Sequence, residues 1–436
     1  MKKQIIFLLL VITALQYTHA QFILDGEFRP RTEYRHGFGS IMPDQAEPGY
    51  SISTRARLNA AYKTETYSFY LSFQDVLTWG ENRQIKPVDS NNSFAIFQAW
   101  ANIKLGSGFS TKLGRQIISY DDQRIMGGLD WAQQGRNHDA ALIQFKNESF
   151  MLDLGLAFNQ DFDDIPGNVS GFVNTGNEYT EDPGFFTYKA MQYVYLKKEW
   201  STFKASLLAL NNIFQNFETE NGARIYNGFG TSSLQTIGTH LEFTPGKFGL
   251  TGNAFFQTGD RVNKLAVKGA FLLGLDASFK ISDGIGLGAG IEVISGNDAD
   301  AGETRAFFPL YGTNHKFNGF MDYFYVGNHA NSIGLVDVHV SANFKLNDSS
   351  SLFVKVLNFS GEQDLPSGEK SLGTELDLVY SKSFKGFGLK LGYSQMFARD
   401  GMYELKGVPE DDAASAQNWA WAMLIMKPKF LNGSTN

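Results

Sequence analysis

From Phe22 to Tyr34 the even positions carry Phe22, Leu24, Phe28 and Tyr34, with Gly26, Pro30 and Thr32 between them. The odd positions from Asp25 to Arg35 carry only charge: Asp25, Glu27, Arg29, Arg31, Glu33 and Arg35. An extended chain sends alternate side chains to opposite faces, so this stretch predicts a strand with one apolar and one charged face. Over 51–63 the pattern returns, with Ile52, Ala56, Leu58, Ala60 and Tyr62 opposed to Arg55, Arg57, Asn59 and Lys63. It recurs over 67–73, 150–158, 271–279, 336–346 and 372–380. A half-buried soluble sheet alternates in the same way, so alternation alone predicts strands without placing them in a membrane.

The spacing of the strands carries that information. Alternation predicts eighteen of them: 22–35, 51–63, 66–75, 94–105, 109–116, 136–146, 149–159, 187–197, 201–211, 235–244, 248–257, 267–280, 284–294, 332–346, 350–358, 371–381, 386–396 and 418–430. The connections between them alternate, long then short, without exception. Short ones fall at 64–65, 106–108, 147–148, 198–200, 245–247, 281–283, 347–349 and 382–385, and segment 315–325 is read as part of a long loop. The fold class expected is all-β: a transmembrane antiparallel β-barrel of 18 strands with short periplasmic turns, long extracellular loops and both termini inside. The closing strand bears Trp419 and Trp421 at one end and Phe430 at the other, which predicts the two aromatic girdles of such a barrel.

Composition sharpens this picture. Lys2 and Lys3, the apolar run 5–15 and the small residue Ala20 form a secretory signal, 1–20, cleaved after Ala20. At 1.5 Å per residue that apolar run is too short to cross a bilayer core. No later run of about twenty apolar residues exists, so the remaining 21–436 is read as a single barrel domain. The absence of Cys excludes disulfide frameworks and thiolate metal sites. A net charge of −7 excludes the basic footprint of a nucleic-acid binder.

The phrase from Lys112 to Ala141 (K-L-G-R-Q-I-I-S-Y-D-D-Q-R-I-M-G-G-L-D-W-A-Q-Q-G-R-N-H-D-A-A) resembles the central signature of the alginate-export family of bacterial outer-membrane β-barrel porins. So do the phrases over 310–325 and 372–397. The resemblance implies an eighteen-stranded barrel whose pore narrows at arginines that pass an anionic polysaccharide. It implies that Arg115, Arg124 and Arg136, with Arg55 and Arg57 on the second strand, carry this pore-lining, substrate-binding role.

Independent of that resemblance, the charged strand faces differ along the chain. Early strands present Arg29, Arg31, Arg55, Arg57 and Lys63, and late ones Asp276, Glu292, Asp337, Glu375 and Asp377, with Lys355 and Lys390 among them. A lumen with bases on one wall and acids on the other has a transverse field that orients polar solutes. Arg115 shares its parity with Phe109 and Leu113, so a bulge or strand end is needed to turn it inward. The run from Gly284 to Ala289 fits G-x-G-x-x-A but sits in an alternating strand with no helix to follow, so it is not a dinucleotide fingerprint. Asp161, Asp163, Asp164, Asp298 and Asp300 lack EF-hand spacing, and the histidines form no ligand pair, so no cofactor or metal is expected. The expected function is passive diffusion of anionic or neutral saccharides, such as alginate-like polyuronates, across the outer membrane. The alternatives are a barrel enzyme, for which no catalytic set is visible, and a structural or adhesive barrel. Expected partners are outer-membrane lipids and lipopolysaccharide, the outer-membrane assembly machinery, and a small anionic or polysaccharide solute, with no nucleic acid.

Overall fold

The computed structural model describes residues 20–81, 93–159, 188–221, 223–225, 230–297, 303–324 and 332–434. Most of the signal segment and the aspartates at 161–164 and 298–300 lie outside the described residues. Within them the strands are β1 (Gln21–His36), β2 (Gly49–Lys63), β3 (Tyr67–Thr78), β4 (Ala95–Gly106), β5 (Phe109–Gln116) and β6 (His138–Lys146). They continue as β7 (Phe150–Phe158), β8 (Ala190–Glu199), β9 (Phe203–Gln215), β10 (Thr231–Phe243), β11 (Phe248–Arg261) and β12 (Leu265–Ser282). The circuit ends with β13 (Ile285–Ile294), β14 (Leu335–Asn347), β15 (Ser350–Ser360), β16 (Ser371–Phe384), β17 (Phe387–Ala398) and β18 (Gln417–Met426, continued by Lys429–Ser434). A three-residue ribbon pair, Glu218–Glu220 with Ala223–Ile225, decorates the β9–β10 loop, and a helix α1 (Asp400–Lys406) the β17–β18 loop.

Each strand pairs antiparallel with its neighbours, and β18 returns to β1, with Trp421 opposite Glu33 and Ser434 opposite Gln21. The sheet therefore closes as an 18-stranded outer-membrane-type barrel, and closure leaves no unpaired edge to face lipid. The last strand breaks at Lys427 and Pro428, because proline lacks the N–H a continuous ladder needs. There the Pro428 carbonyl accepts from the Gly26 N–H at 3.0 Å.

The two faces separate as the alternation predicts. Leu273, Leu275 and Phe279 of β12 are exposed toward lipid, while Leu272 is buried inside and Asp276 faces the lumen against His339. The glycine-rich run at 284–289 is strand β13 and its turn. Inside, aromatic rings cover directly opposed glycines on the neighbouring strand: Tyr193 over Gly155, Phe255 over Gly238 and Trp421 over Gly392. A Cβ at any of these glycines would sit about 2 Å from its ring. Small-next-to-large pairing of this kind fills the taper of a barrel wall.

One aromatic expectation is corrected. Trp419 and Trp421 point inward and are buried, with Trp419 packed on Phe38 and Trp131. Their odd parity puts them on the lumenal face of β18 with Gln417 and Met423, where Phe38 of the β1–β2 loop and Trp131 of the β5–β6 loop supply apolar partners. Phe430 does face outward, beside Gly26 at the periplasmic end.

Candidate pore constriction

Among the described residues, two long connections meet inside the barrel. The first, 117–137 between β5 and β6, lies against β1 and β2. Their inward odd positions present Arg29, Arg31 and Arg55, all buried, and the loop meets them chiefly with backbone carbonyls. Arg29 donates to the Asp130 carbonyl at 2.7 Å and to the Gln133 side chain at 3.0 Å. Arg31 donates to the Trp131 carbonyl at 2.8 Å and lies over the Trp131 ring, 4.4 Å from its centroid. Arg55 pairs with Glu27 of β1 and reaches Asp130 Oδ1 at 2.8 Å. Arg57 donates to Gln74 at 2.6 Å and covers the Phe97 ring at 3.7 Å. Asp130 is the carboxylate the loop brings to this wall, and its side chain stays 74% exposed. Burial alone would raise its carboxyl, but Arg55 and Arg29 beside it hold it below the usual range.

The second connection runs from β13 to β14, and its segment 303–324 lies against the opposite wall, where β12, β13, β14 and β16 point carboxylates inward. Here the loop offers N–H groups and amides. Met321 N–H donates to Glu375 at 2.8 Å, and the Asn318 amide donates to Glu292 at 2.8 Å and to Asp337 at 3.2 Å. Tyr311 reaches across to Asn212 of β9, and Gln257 of β11 holds both the N–H and the carbonyl of Phe308 at 2.8 Å.

The loops lock onto each other between the walls. Gly127 N–H donates to the Tyr311 carbonyl at 2.8 Å, and Thr313 N–H to the Gln123 carbonyl at 2.9 Å. So close a crossing requires Gly312: a Cβ there would stand 2.2 Å from the Arg124 carbonyl oxygen. Arg124, almost fully buried, projects from the first loop to the far wall. It grips Glu292 with two bonds of 2.8 and 2.6 Å and bonds Asn314 and Asn318 of the second loop. Arg136 donates to the Gly312 carbonyl at 3.0 Å. Trp131 stacks on His315 at 4.5 Å, which adds a ring contact to these hydrogen bonds between the loops. Adjacent residues of the first loop border separate lumenal cavities. Asp121 lines one of about 340 Å³ with Lys197 and Tyr195, and Asp122 one of about 230 Å³ with Asp276, Lys316 and Lys355.

Four of the five arginines singled out from the sequence thus lie inside the barrel at this crossing: Arg55 and Arg57 on the wall, Arg124 and Arg136 in the loop. Arg115 does not. Neither bulge nor strand end turns it inward; it stays on the outward face beside exposed Leu113, in a bidentate pair with Asp139 of β6 at 2.9 and 2.8 Å. The sequence reading assigned no role to Asp130, Trp131, Asn314, Asn318 or Tyr311. These are loop residues without periodicity, and only the inward fold of the two loops brings them to the walls.

The sequence model of the alginate-export family matches residues 21–161, which bears out the resemblance over the first third of the chain. No curated protein matches by sequence. Among solved structures the barrel is similar to OccAB4 of Acinetobacter baumannii, at TM-score 0.62 and 13% identity, covering 95% of this chain and 99% of that one. It is equally similar to the outer membrane protein OpdK of Pseudomonas aeruginosa, at TM-score 0.62 and 10% identity, covering 94% and 99%. OpdK has also been solved with vanillate, and that structure matches at TM-score 0.59 and 10% identity over 93% and 99%. The chain therefore has the fold of the outer-membrane porins.

Proposed function

We propose that this barrel is a passive outer-membrane channel for small anionic or neutral saccharides, selecting them at the crossing of its two inward loops. The observation that carries the reading is the placement of that crossing between an arginine-rich wall, in which Glu27 and Glu33 are interspersed, and a carboxylate wall. A solute squeezed between them meets a transverse field in a low-dielectric tube, and polar, hydroxyl-rich molecules gain most from such a field. The geometry narrows the cargo expected from the family resemblance. Arg29, Arg31, Arg55 and Arg124 are committed to carboxylates, carbonyls or amides. A long polyuronate would find no continuous cationic track, so short uronic acids and neutral sugars fit better than polymeric alginate. Planar-bilayer reversal potentials across a salt gradient, with uptake of glucuronate, glucose and lysine into proteoliposomes, test the reading. Uptake should fall in the order glucuronate, glucose, lysine. A cation-selective pore that admits lysine ahead of glucuronate would overturn it.

A further inference from the structure

The lipid face of β5 to β10 departs from the apolar rule for barrel exteriors. Gln192, Asn211 and Gln235 occupy outward positions on β8, β9 and β10 and stand directly opposite one another in register. Asn211 donates to Gln192 at 2.7 Å, and Gln235 donates to Asn211 at 2.7 Å and to Ser233 at 3.0 Å. The amides form a one-directional ladder in the extracellular half of these strands. At one end Gln192 keeps its NH₂, and at the other Gln235 keeps its carbonyl, for a partner outside the protein. Continuing toward β5, the same ladder row runs through Leu156 and Ala141 to Leu113. Two residues further toward the extracellular end lies the outward Arg115–Asp139 pair.

Below the amides the wall is concave. A groove of about 870 Å³ runs between the amide row and the next row toward the periplasm, over Ile143, Leu154, Val194, Ala209 and Ile237. Ala141 and Ala209 leave its floor low between larger neighbours. Polar groups that face lipid are costly, and where present they mark a partner.

We infer that this groove binds lipopolysaccharide of the outer leaflet, through its amide-linked, hydroxyacylated lipid portion. From rim to midplane the surface offers amide donors and acceptors, then an apolar trough. That is the order of acyl linkage and hydrocarbon in such a lipid, whose amide-linked, hydroxylated chains carry donors and acceptors that the ester-linked chains of a glycerophospholipid lack. The position in the extracellular half selects the leaflet. The inference rests on the fold alone and stands whether or not the channel reading holds.

The test is retention of lipid by the purified full-length barrel, read by native mass spectrometry after washing in detergent. Wild type is offered purified lipopolysaccharide against phosphatidylethanolamine–phosphatidylglycerol vesicles. It should keep lipopolysaccharide at least tenfold in preference. The triple variant Gln192→Leu, Asn211→Leu, Gln235→Leu suits a lipid-facing wall and should fold, yet lose most of that retention. Ala209→Trp, which fills the trough, should lose it too. Equal retention of both lipids by wild type, unchanged retention in the triple variant, or a wild-type dimer dispersed by the triple variant would each overturn the inference.

Discussion

The two walls of the lumen solve opposite charge problems with the same kind of element. On β1 and β2 the inward arginines are donors only partly met by Glu27 and Glu33 of the same wall, and loop 117–137 covers Arg29 and Arg31 with the carbonyls of Asp130, Trp131 and Ala132. On β13, β14 and β16 the inward residues are acceptors, and segment 303–324 covers them with the Met321 N–H and the Asn318 amide. A buried charge is tolerated when its hydrogen bonds are filled. Each loop therefore turns toward its wall the backbone or side-chain group that the wall lacks. The difference teaches how barrel loops come to fold inward. The sign of the wall decides which loop atoms must face it, and Arg124 then joins the two halves by reaching from the carbonyl-rich loop to the acidic wall.

If Arg124 is that join, removing it should separate the walls more than any other change. Arg124→Ala leaves Glu292 buried without its cation, a loss of about 3–5 kcal/mol by the usual cost of breaking such a pair. Amide hydrogen exchange over 117–137 and 303–324 should accelerate together, and single-channel conductance should rise. Exchange rising in one loop alone would mean that the loops are held independently.

A change on the acidic side should be felt by one loop. Glu375→Ala strands the Met321 N–H, at about 1–3 kcal/mol. Exchange should rise at 317–322 while the Trp131 region on the opposite wall stays protected. A matched loss of protection around Trp131 would show that the comparison between walls is too sharp.

The smallest effect on stability is expected at Asp130. Its carboxylate is exposed, so Asp130→Asn should cost at most about 1 kcal/mol, while uncovering Arg55 and Arg57 and moving the reversal potential toward anions. Because neighbouring arginines lower the carboxyl's folded pKa below the ordinary value of about 3.9, its contribution is complete at neutral pH. That contribution is lost only as pH falls through the lowered value. The selectivity gap between wild type and variant should thus persist to about pH 4 and close below it. A gap that closes between pH 5 and 6 would contradict the arginine contacts.

Much of the wall was legible in the chain. Period two assigns Arg29, Arg55, Asp276, Glu292 and Glu375 to one face because a β-strand repeats every two residues whatever surrounds it. The same parity places Arg115 beside Leu113 on the outside, against the family resemblance, and the structure agrees with parity. Trp419 and Trp421 carry odd parity as well, yet as strand-end aromatics they read as an interface girdle. Their burial depends on Trp131 and Phe38 arriving from loops.

Strand number, the order of long and short connections, and the side each strand residue faces follow from the amino-acid sequence by itself, because backbone geometry and water enforce them locally. The inward fold of 117–137 and 303–324, the meeting of Arg124 with Glu292 across 168 positions of chain, and the amide row over the outer groove were decided only by tertiary structure. Those contacts join segments far apart in sequence, and no local periodicity records which loop will satisfy which buried charge.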